Sequence, residues 1–519
     1  MAARIILYLS IVAICALSSC TANAAAGSLD PAFTPLSLSA AVHSVQQESS
    51  GRYLIGGVFQ NAGGDPDTDY VARLSGNGSR DATFEPPSLN STVYSVTILS
   101  NGKYMIGGNF TDAGNISAID RVARLNSNGS LDLSFSPPSL NNTVYSTLEI
   151  QGTGFLIGGA FINVGGDGDL DRVIRVDSGG SLDSLFEPTP LFSYVRTIKD
   201  LSNGQFLLGG NFPNAGNDPD TDYVAKLNST GSRDANFRPL SLNGPVYSIA
   251  ALSDGKYLIG GNFTAAGGDT NTNYLARLHA DGSRDTDFTP LTLNNPVWAL
   301  AELSDGSYLI GGMFTSAGGD PNTRYLARLN ENGSRDTTFS PPTLNGIVYS
   351  LKELRDGNYL IGGAFTNAGG DLNVDYVAKI LSGYPTPPEL VSNFAGNSSA
   401  SINWTPPVND GGSAITDYEY RLDGTGSWIP FGSTDTSATL SGLTNGTTYG
   451  VEVRAVNALG EGPPSNSLDV TPVAPTATPQ AASEPPVPVP INTLVGMGLL
   501  SLLLSFLGAI RINDLRQRH

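Results

Sequence analysis

Residues 254–264 read Asp-Gly-Lys-Tyr-Leu-Ile-Gly-Gly-Asn-Phe-Thr, a turn signal followed by an apolar run that ends in a glycine pair. Equivalent glycine pairs recur at intervals of 51 residues and begin at Gly56, Gly107, Gly158, Gly209, Gly260, Gly311 and Gly362. A Gly-Ser-(Leu/Arg)-Asp motif keeps the same period and begins at Gly27, Gly78, Gly129, Gly180, Gly231, Gly282 and Gly333. Seven copies without an insertion or deletion indicate one structural unit repeated along the chain.

The second copy shows what one unit contains. Residues 93–99 and 104–108 are β-branched or apolar runs, and the Asn101-Gly102 pair between them is a hairpin-turn signal. Residues 122–125 and 133–135 add a third and a fourth short strand. Four antiparallel strands cannot bury both faces of their sheet alone, whereas sheets arranged radially cover one another. The sequence therefore predicts an all-β protein in which each copy is one blade of a β-propeller.

The phenylalanines support packing between blades. Fourteen of the 20 lie at two repeat positions, which are Phe33, Phe84, Phe135, Phe186, Phe237, Phe288, Phe339 and Phe59, Phe110, Phe161, Phe212, Phe263, Phe314, Phe365. Residues 30–33 are the fourth strand of an incomplete copy, and residues 377–380 are the last third strand. If these two pair, residues 27–380 form a seven-bladed β-propeller. An open β-solenoid is the alternative, although its coils need far fewer residues each.

The unit made of residues 254–264, 275–278 and 282–288 resembles the delta-sixty-type bacterial β-propeller repeat. More distantly, its Gly-Gly strand is similar to kelch repeats. The resemblance covers residues 27–380 and implies a large secreted or surface protein. The third copy departs most, because residues 151–154 replace the usual turn.

A second domain is predicted over residues 386–473. Its matching features are Pro387-Pro388, the strand that ends at Trp404, and the stretch from Leu443 to Tyr449, and together they resemble a fibronectin type III domain. The resemblance implies a β-sandwich with Trp404 and Tyr449 in its core. Such a domain serves as a spacer and interaction module, and the fold alone says no more.

The N-terminus carries an export signal. Residues 1–26 combine a basic residue, an apolar stretch and small residues, which is typical of a signal peptide. Ala22-Asn23-Ala24 fits ordinary cleavage, whereas Leu17-Ser18-Ser19-Cys20 resembles a lipobox. Cys15 and Cys20 are the only cysteines. The exported body therefore holds together without disulfides.

The C-terminus has the composition of a membrane anchor. Residues 474–490 form a proline-rich linker, residues 491–510 an uncharged run long enough to span a bilayer, and residues 511–519 a basic cytoplasmic tail. A buried core helix is the alternative for the apolar run. The three parts resemble the C-terminal sorting signals of Gram-negative exosortase-type systems, although Asn492 replaces the proline of the Ile-Pro-Thr-Leu motif. We therefore expect an exported bacterial protein, anchored at the cell surface or in the periplasm.

Two sets of side chains are candidate binding groups. Large flat or cationic groups follow the first valine of each copy, with His43 in the first copy and then Tyr94, Tyr145, Arg196, Tyr247, Trp298 and Tyr349. These groups either line a recognition surface for a sugar or peptide or pack between blades, and His43 is interpreted as a substituted aromatic. Alternating aspartates resemble the start of calcium loops at Asp65, Asp67, Asp69, Asp167, Asp169, Asp171, Asp218, Asp220 and Asp222. Plain turns are the alternative, because the glycine and glutamate of an EF-hand are missing.

Composition and motifs narrow the function. The formal net charge of −19 argues against nucleic acid as a partner. The sequence has no Gly-x-Ser-x-Gly elbow, Walker loop or His-Glu-x-x-His motif. We therefore expect an extracellular binding or adhesion protein without catalysis, with a protein or glycan partner and no cofactor except possible calcium. A polysaccharide-acting enzyme with paired carboxylates in the propeller channel is the alternative, and a purely structural spacer is a third.

Overall fold

The computed structural model describes residues 25–66, 68–166, 172–217, 222–411 and 413–475. These residues form β-strands and three short 3-10 turns, which are Ala62–Gly64, Val164–Gly166 and Ala215–Asn217. Almost all of the predicted signal peptide, most of the proline-rich linker, and the whole apolar run and basic tail lie outside the described residues. Within the described ranges, no helix is long and apolar enough to cross a membrane.

The repeat region forms seven three-stranded antiparallel sheets, each built from strands that are consecutive in the chain. Their strands are β1 Val42–Gln47, β2 Tyr53–Gly57, β3 Val71–Leu74, β4 Val93–Ile98, β5 Tyr104–Gly108, β6 Val122–Leu125, β7 Val144–Ile150, β8 Gly154–Gly159, β9 Val173–Val176, β10 Val195–Asp200, β11 Phe206–Gly210, β12 Val224–Leu227, β13 Val246–Ala251, β14 Tyr257–Gly261, β15 Leu275–Leu278, β16 Val297–Glu302, β17 Tyr308–Gly312, β18 Leu326–Leu329, β19 Val348–Glu353, β20 Tyr359–Gly363 and β21 Val377–Ile380.

The first strands of the sheets lie side by side. β1 contacts β4 of the second sheet and β19 of the seventh, and each intermediate first strand contacts both of its neighbours. At the junction, Leu29 forms an isolated bridge with Ile380, and the Asp30 amide donates to the Lys379 carbonyl at 2.9 Å. The N-terminal segment thus lies against the last strand, as expected, although the paired residue is Leu29 and not Phe33. The repeated sheets are propeller-like.

The predicted fourth strand is wrong in its extent. In the second copy, pairing beyond β6 is limited to one bridge between Leu125 and Leu131. Residues 133–135 form a turn, because the Asp132 carboxylate accepts a hydrogen bond from the Ser134 amide at 3.0 Å. The Phe135 amide also donates to the Asp132 carbonyl. The turn replaces the ladder and inserts the Phe135 ring into the core.

The two phenylalanine positions are core positions, as predicted, since all fourteen side chains are buried. The glycine pair has a matching steric role. A Cβ on Gly56 would lie 2.7 Å from Val93 Cγ1 of the next sheet, and a Cβ on Gly57 would overlap the Ala41 carbonyl oxygen. Glycine is therefore required where adjacent sheets and strands approach most closely.

An arginine–aspartate pair fastens most copies internally. Arg124 Nε donates to Asp132 Oδ2 at 2.6 Å, and the guanidinium lies 4.9 Å from the centre of the Phe135 ring. The same arginine donates to the Ser178 carbonyl of the next copy at 2.5 Å. Burial opposes ionisation of Asp132, but hydrogen bonds from Lys103, Ser134 and Arg124 hold its pKa well below the usual range. Similar pairs join Arg73 to Asp81, Arg175 to Asp183 and Arg277 to Asp285.

The second domain is a two-sheet sandwich. Its strands are β22 Glu389–Gly396, β23 Ser399–Thr405, β24 Ile415–Leu422, β25 Thr425–Pro430, β26 Ser437–Ser441, β27 Tyr449–Asn457, β28 Gly460–Glu461 and β29 Leu468–Val470. One sheet has the order β22-β23-β26, and the other has β25-β24-β27-β28 with β29 also paired to β27. Trp404 is buried in the core of the sandwich, and the partly buried Tyr449 packs against that core. The Tyr449 hydroxyl accepts from the Thr444 amide at 3.1 Å, which is the predicted tyrosine corner.

The sandwich packs against the hairpin-turn end of the sixth and seventh sheets. A Cβ on Gly357, in the turn after β19, would lie 3.2 Å from Pro463 Cγ. The side-chain amide of Asn457, at the end of β27, donates at 2.9 Å to the carbonyl of Gly383, which lies in the connecting segment. The sandwich therefore does not cover the opposite end of the repeat sheets, away from their hairpin turns.

Candidate functional site

The predicted recognition residues occupy one special position in each sheet. In every first strand the register with its partner shifts between the first and third residues, so the second residue is a β-bulge. A bulge leaves its residue out of the ladder and turns its side chain away from the sheet. The seven half-buried bulge residues are named here the axial cluster: His43, Tyr94, Tyr145, Arg196, Tyr247, Trp298 and Tyr349.

The aromatic members of the axial cluster contact one another across neighbouring sheets. The rings of Tyr247 and Trp298 stack with centres 4.3 Å apart, and Tyr349 meets Trp298 edge to face at 5.5 Å. His43 joins the seventh sheet to the second, with ring centres 4.8 Å from Tyr349 and 4.9 Å from Tyr94. The structure brings the predicted residues together, and they pack on one another while remaining partly accessible.

Arg196 lies among these rings. Its guanidinium carbon is 4.9 Å from the centre of Tyr145, 5.3 Å from Trp298 and 5.8 Å from Tyr94, so it meets residues of three other sheets. Burial lowers the pKa of Arg196, but arginine remains protonated in proteins. Among the described residues, it has no hydrogen-bond acceptor and no ion-pair partner. Cation–π contact alone therefore holds a positive charge at the centre of the cluster.

Two further polar atoms of the cluster lack partners within the described residues: Trp298 Nε1 and His43 Nδ1 are buried and make no hydrogen bond. Burial, and then the charge of Arg196, lower the pKa of His43 to about 4. The imidazole is therefore neutral near pH 7 and is able to donate at one nitrogen and accept at the other. A ligand at the cluster would meet the guanidinium of Arg196 and the accessible faces of the aromatic rings.

The interior continues as a basic channel. Lys199 and Lys352 occupy the same repeat position, three residues after the bulge in β10 and β19. Burial, and then the neighbouring Lys352, lower the pKa of Lys199. The other five copies have uncharged residues there, which are Gln46, Thr97, Leu148, Ala250 and Ala301. These lysines were not predicted from the sequence. Their fixed position three residues after the bulge residue, in a strand whose side chains alternate, was a signal that could have identified them.

The inner edges of several first strands are already hydrogen-bonded. The Val45 amide donates to Ser350 Oγ at 3.1 Å, and the Val96 amide donates to Ser44 Oγ at 3.2 Å. The Thr147 amide donates in the same way to Ser95 Oγ. Each hydroxyl comes from the preceding sheet in the ring. These edges are thus closed to a peptide that would add as a further strand.

The axial cluster faces away from the sandwich domain. In β19, Tyr349 is the second residue, whereas Glu353 is the last and leads into the Gly357 turn beside Pro463. A six-residue strand is roughly 20 Å long. The cluster and the sandwich are therefore at opposite ends of the seventh sheet, and the sandwich does not cover the cluster.

The aspartate loops act as turns where the structure describes them. Asp69 accepts from the Asn61 amide at 2.8 Å, Asp222 accepts from the Asn214 amide at 2.9 Å, and Asp65 is ion-paired with Arg80. The remaining six predicted aspartates lie outside the described residues: Asp67, Asp167, Asp169, Asp171, Asp218 and Asp220. Within the described ranges, no group of three or more carboxylate, histidine or cysteine side chains is placed to hold a metal ion. The calcium site stays a prediction.

Two cavities of the structure lie away from the axial cluster. One of about 950 Å³ lies between Asp30, Arg355 and Lys379 of the repeat region and Pro387 and Val408 of the sandwich side. A second, of about 450 Å³, is lined by Glu48, Arg73 and Tyr104. Tyr104 donates to Glu48 at 2.6 Å, and Glu48 replaces a residue that is leucine or isoleucine in the other copies. Neither cavity includes the axial cluster.

Comparison with known proteins agrees with the two folds. Residues 385–471 match the model of the fibronectin type III domain. Five segments match the model described as a domain of unknown function (DUF5122) beta-propeller: 48–84, 99–135, 201–237, 252–288 and 303–339. The matched segments omit the third copy, which departs most from the repeat, and the seventh. The resemblances to delta-sixty repeats and to exosortase-type signals stay predictions.

Individual relatives are similar over part of their length. A kelch domain-containing protein of Saccharolobus solfataricus is 32% identical over 196 residues, which are 36% of this chain and 26% of the relative. Fast-type myosin-binding protein C of Mus musculus is 31% identical over 147 residues, 27% of this chain and 13% of the relative. The extracellular domain of a one-component system from B. thetaiotaomicron aligns with a TM-score of 0.38 at 14% identity, covering 85% of this chain and 59% of that chain. The family models thus show that this chain contains β-propeller repeats followed by a fibronectin type III domain.

Proposed function

We propose that this protein is an exported binding or adhesion protein without catalytic activity of its own. Its repeats form a seven-bladed β-propeller that presents the axial cluster to a ligand, and its fibronectin type III domain holds the propeller away from a C-terminal membrane anchor. The partner is an extracellular glycan or protein at the cell surface or in the periplasm.

The axial cluster carries this proposal. The rings of the cluster remain partly accessible around a guanidinium that has no acceptor among the described residues. Tryptophan, tyrosine and arginine are the residues that dominate binding energy in protein recognition sites. Their position on the uncovered end of the sheets leaves the site open to a large ligand.

The described carboxylates support binding in preference to hydrolysis. A glycosidase needs one carboxyl group that stays protonated, but hydrogen bonds and arginine partners lower the pKa of Asp81 and Asp132. Burial raises the pKa of Glu353, which lines a cavity of about 420 Å³ with Asp305. Glu353 nevertheless accepts from the Ser304 amide, and Glu302 with Ser253 and Glu149 with Ser100 repeat this contact. A contact repeated in three copies indicates a turn cap.

A glycan array tests the proposal with the full chain, in the presence and absence of calcium. We expect at least one class of glycan to bind, and Trp298→Ala to weaken that binding about tenfold or more. Phe394→Ala is the matched control, because Phe394 is an exposed aromatic of the sandwich domain, 66% exposed. Absence of binding would reject a glycan as the partner, and equal loss in both variants would reject the axial cluster as the binding site.

A further inference from the structure

The fourth copy differs from the other six around the axial cluster. Its departures are Phe192, Tyr194, Arg196 and Lys199, of which Lys199 alone has a counterpart, Lys352 of the seventh copy. All four lie in β10 or within three residues before its first residue, Val195. Residues that serve packing repeat from copy to copy, as the phenylalanines do. A group of departures at one place in one copy therefore indicates a role that the ring architecture itself does not require.

Phe192 shows that the departure has a structural cost. Five other copies have asparagine there, and its side-chain oxygen accepts from a loop amide, as in Asn90 with Thr111 at 2.9 Å and Asn294 with Thr315 at 2.9 Å. In the first copy Ser39 makes the equivalent contact with Gln60. Phe192 cannot accept this hydrogen bond, and its side chain is 56% exposed. The fourth copy thus replaces a loop contact with an exposed aromatic side chain.

The charges of this region are uncompensated by nearby acids. Arg196, Lys199 and Lys352 make no hydrogen bond or ion pair with the described residues. Two of the aspartates in the loops on the same end of the sheets are ion-paired, since Asp269 pairs with Arg284 and Asp320 with Arg335. The centre of the ring is therefore basic, although the whole chain has a formal net charge of −19. Such a site attracts an anionic group of limited size.

We propose that the axial cluster binds a carboxylate-bearing sugar unit, that is, a uronic acid of an acidic polysaccharide; this inference rests on the binding function proposed above. The guanidinium of Arg196 donates to the carboxylate, and the lysines of the channel contribute charge. The accessible aromatic faces, with Phe192 and Tyr194 beside them, pack against the apolar faces of the sugar. An acidic peptide fits less well, because serine hydroxyls occupy the strand edges that a peptide backbone would use.

Calorimetry with the full chain and three probes tests the inference. The probes are an oligogalacturonate, its neutral methyl ester and oligo-aspartate. We expect the free acid to bind at least tenfold more tightly than the ester, and binding to weaken as salt is raised. Arg196→Tyr and Lys199→Ala introduce residues that other copies have at these positions, and we expect each to reduce binding of the acid about tenfold. Phe394→Ala serves as the control.

The outcomes separate the two proposals. Equal binding of acid and ester, or undiminished binding by Arg196→Tyr, would overturn the carboxylate inference and leave the binding function in place. Binding of oligo-aspartate as tightly as the sugar would overturn the sugar class. Failure of every glycan, on the array and in calorimetry, would overturn the carboxylate inference and the glycan partner of the proposed function. Thermal unfolding separates binding from folding, because we expect Arg196→Tyr to keep or raise the melting temperature by removing a buried unpaired charge.

Discussion

Arg328 of the sixth sheet lies over the ring of Tyr384, with the guanidinium carbon 4.6 Å from the ring centre. In other copies the equivalent arginine covers a phenylalanine of its own repeat, as Arg277 does with Phe288 at 4.8 Å. The sixth copy therefore directs its arginine to the segment that leads into the fibronectin type III domain. Since Arg328 is buried, the contact fastens the two folded domains together.

Removing the ring of Tyr384 tests this coupling. We expect Tyr384→Ala to lower stability by about 2 kcal/mol, because a desolvated cation–π contact has that order of strength. The connecting segment around Tyr384 is largely buried and should then become accessible, so that it is cleaved roughly tenfold faster in limited proteolysis. Tyr384→Phe keeps the ring and is the control. Identical cleavage of both variants would show that other contacts join the domains.

The arginine–aspartate pairs make a second prediction. Asp132→Ala leaves Arg124 buried with its main acceptor gone, and we expect a loss of about 3–5 kcal/mol in the free energy of unfolding. Glu85→Ala is a matched control, because Glu85 is an exposed carboxylate. Urea denaturation measures both. A similar small effect of the two substitutions would contradict a structural role for the pair.

The glycine pair at the end of each second strand leads to a third prediction, which concerns packing between sheets. A Cβ on Gly260 would lie 2.7 Å from Val297 Cγ1, so we expect Gly260→Ala to cost about 1–3 kcal/mol through overpacking between sheets. Gly76→Ala is the control, since the nearest atom to a Cβ there is 3.6 Å away. Adding Val297→Ala should partly restore stability of Gly260→Ala. Additive destabilisation in the double variant would exclude the steric explanation.

The repeat pattern was sufficient to predict the strands, the buried phenylalanines and the meeting of the bulge residues, because each of these follows from local spacing. The pairing between Arg124 and the Ser178 carbonyl was missed, since it joins residues that are distant in sequence and depends on how adjacent sheets are placed. The extent of the fourth strand was overpredicted, because residues 133–135 alternate apolar and polar side chains as a strand does, whereas the Asp132 side chain caps a turn there.

The binding site was predicted only as a set of equivalent positions. What distinguishes it is the break in equivalence at Arg196 and Lys199, whose charges make no ion pair with the described residues. Glu48 illustrates the same limit: it departs from the leucine or isoleucine of other copies, but its hydrogen bond from Tyr104 of the next sheet is a tertiary contact. Departures from a repeat identify candidate residues, and only their neighbours show which ones face a ligand.

The last prediction concerns pH and His43. Burial, and then the charge of Arg196, lower its pKa to about 4, whereas an unfolded histidine takes up a proton near pH 6.5. The unfolded chain therefore binds a proton that the folded protein does not bind. The free energy of unfolding should fall as the pH decreases from 6.5 to 4. A difference of this size corresponds to about 3 kcal/mol at pH 4.

His43→Tyr removes this titration and introduces the residue found at Tyr94, Tyr145, Tyr247 and Tyr349. We expect the free energy of unfolding, measured in urea at pH 7.5 and pH 4, to fall less in the variant than in the parent protein. The acid-sensitive aspartate pairs are common to both proteins, so their contribution cancels in the comparison. The same pH dependence in both would mean that His43 is protonated within the cluster, where it would add a second positive charge beside Arg196.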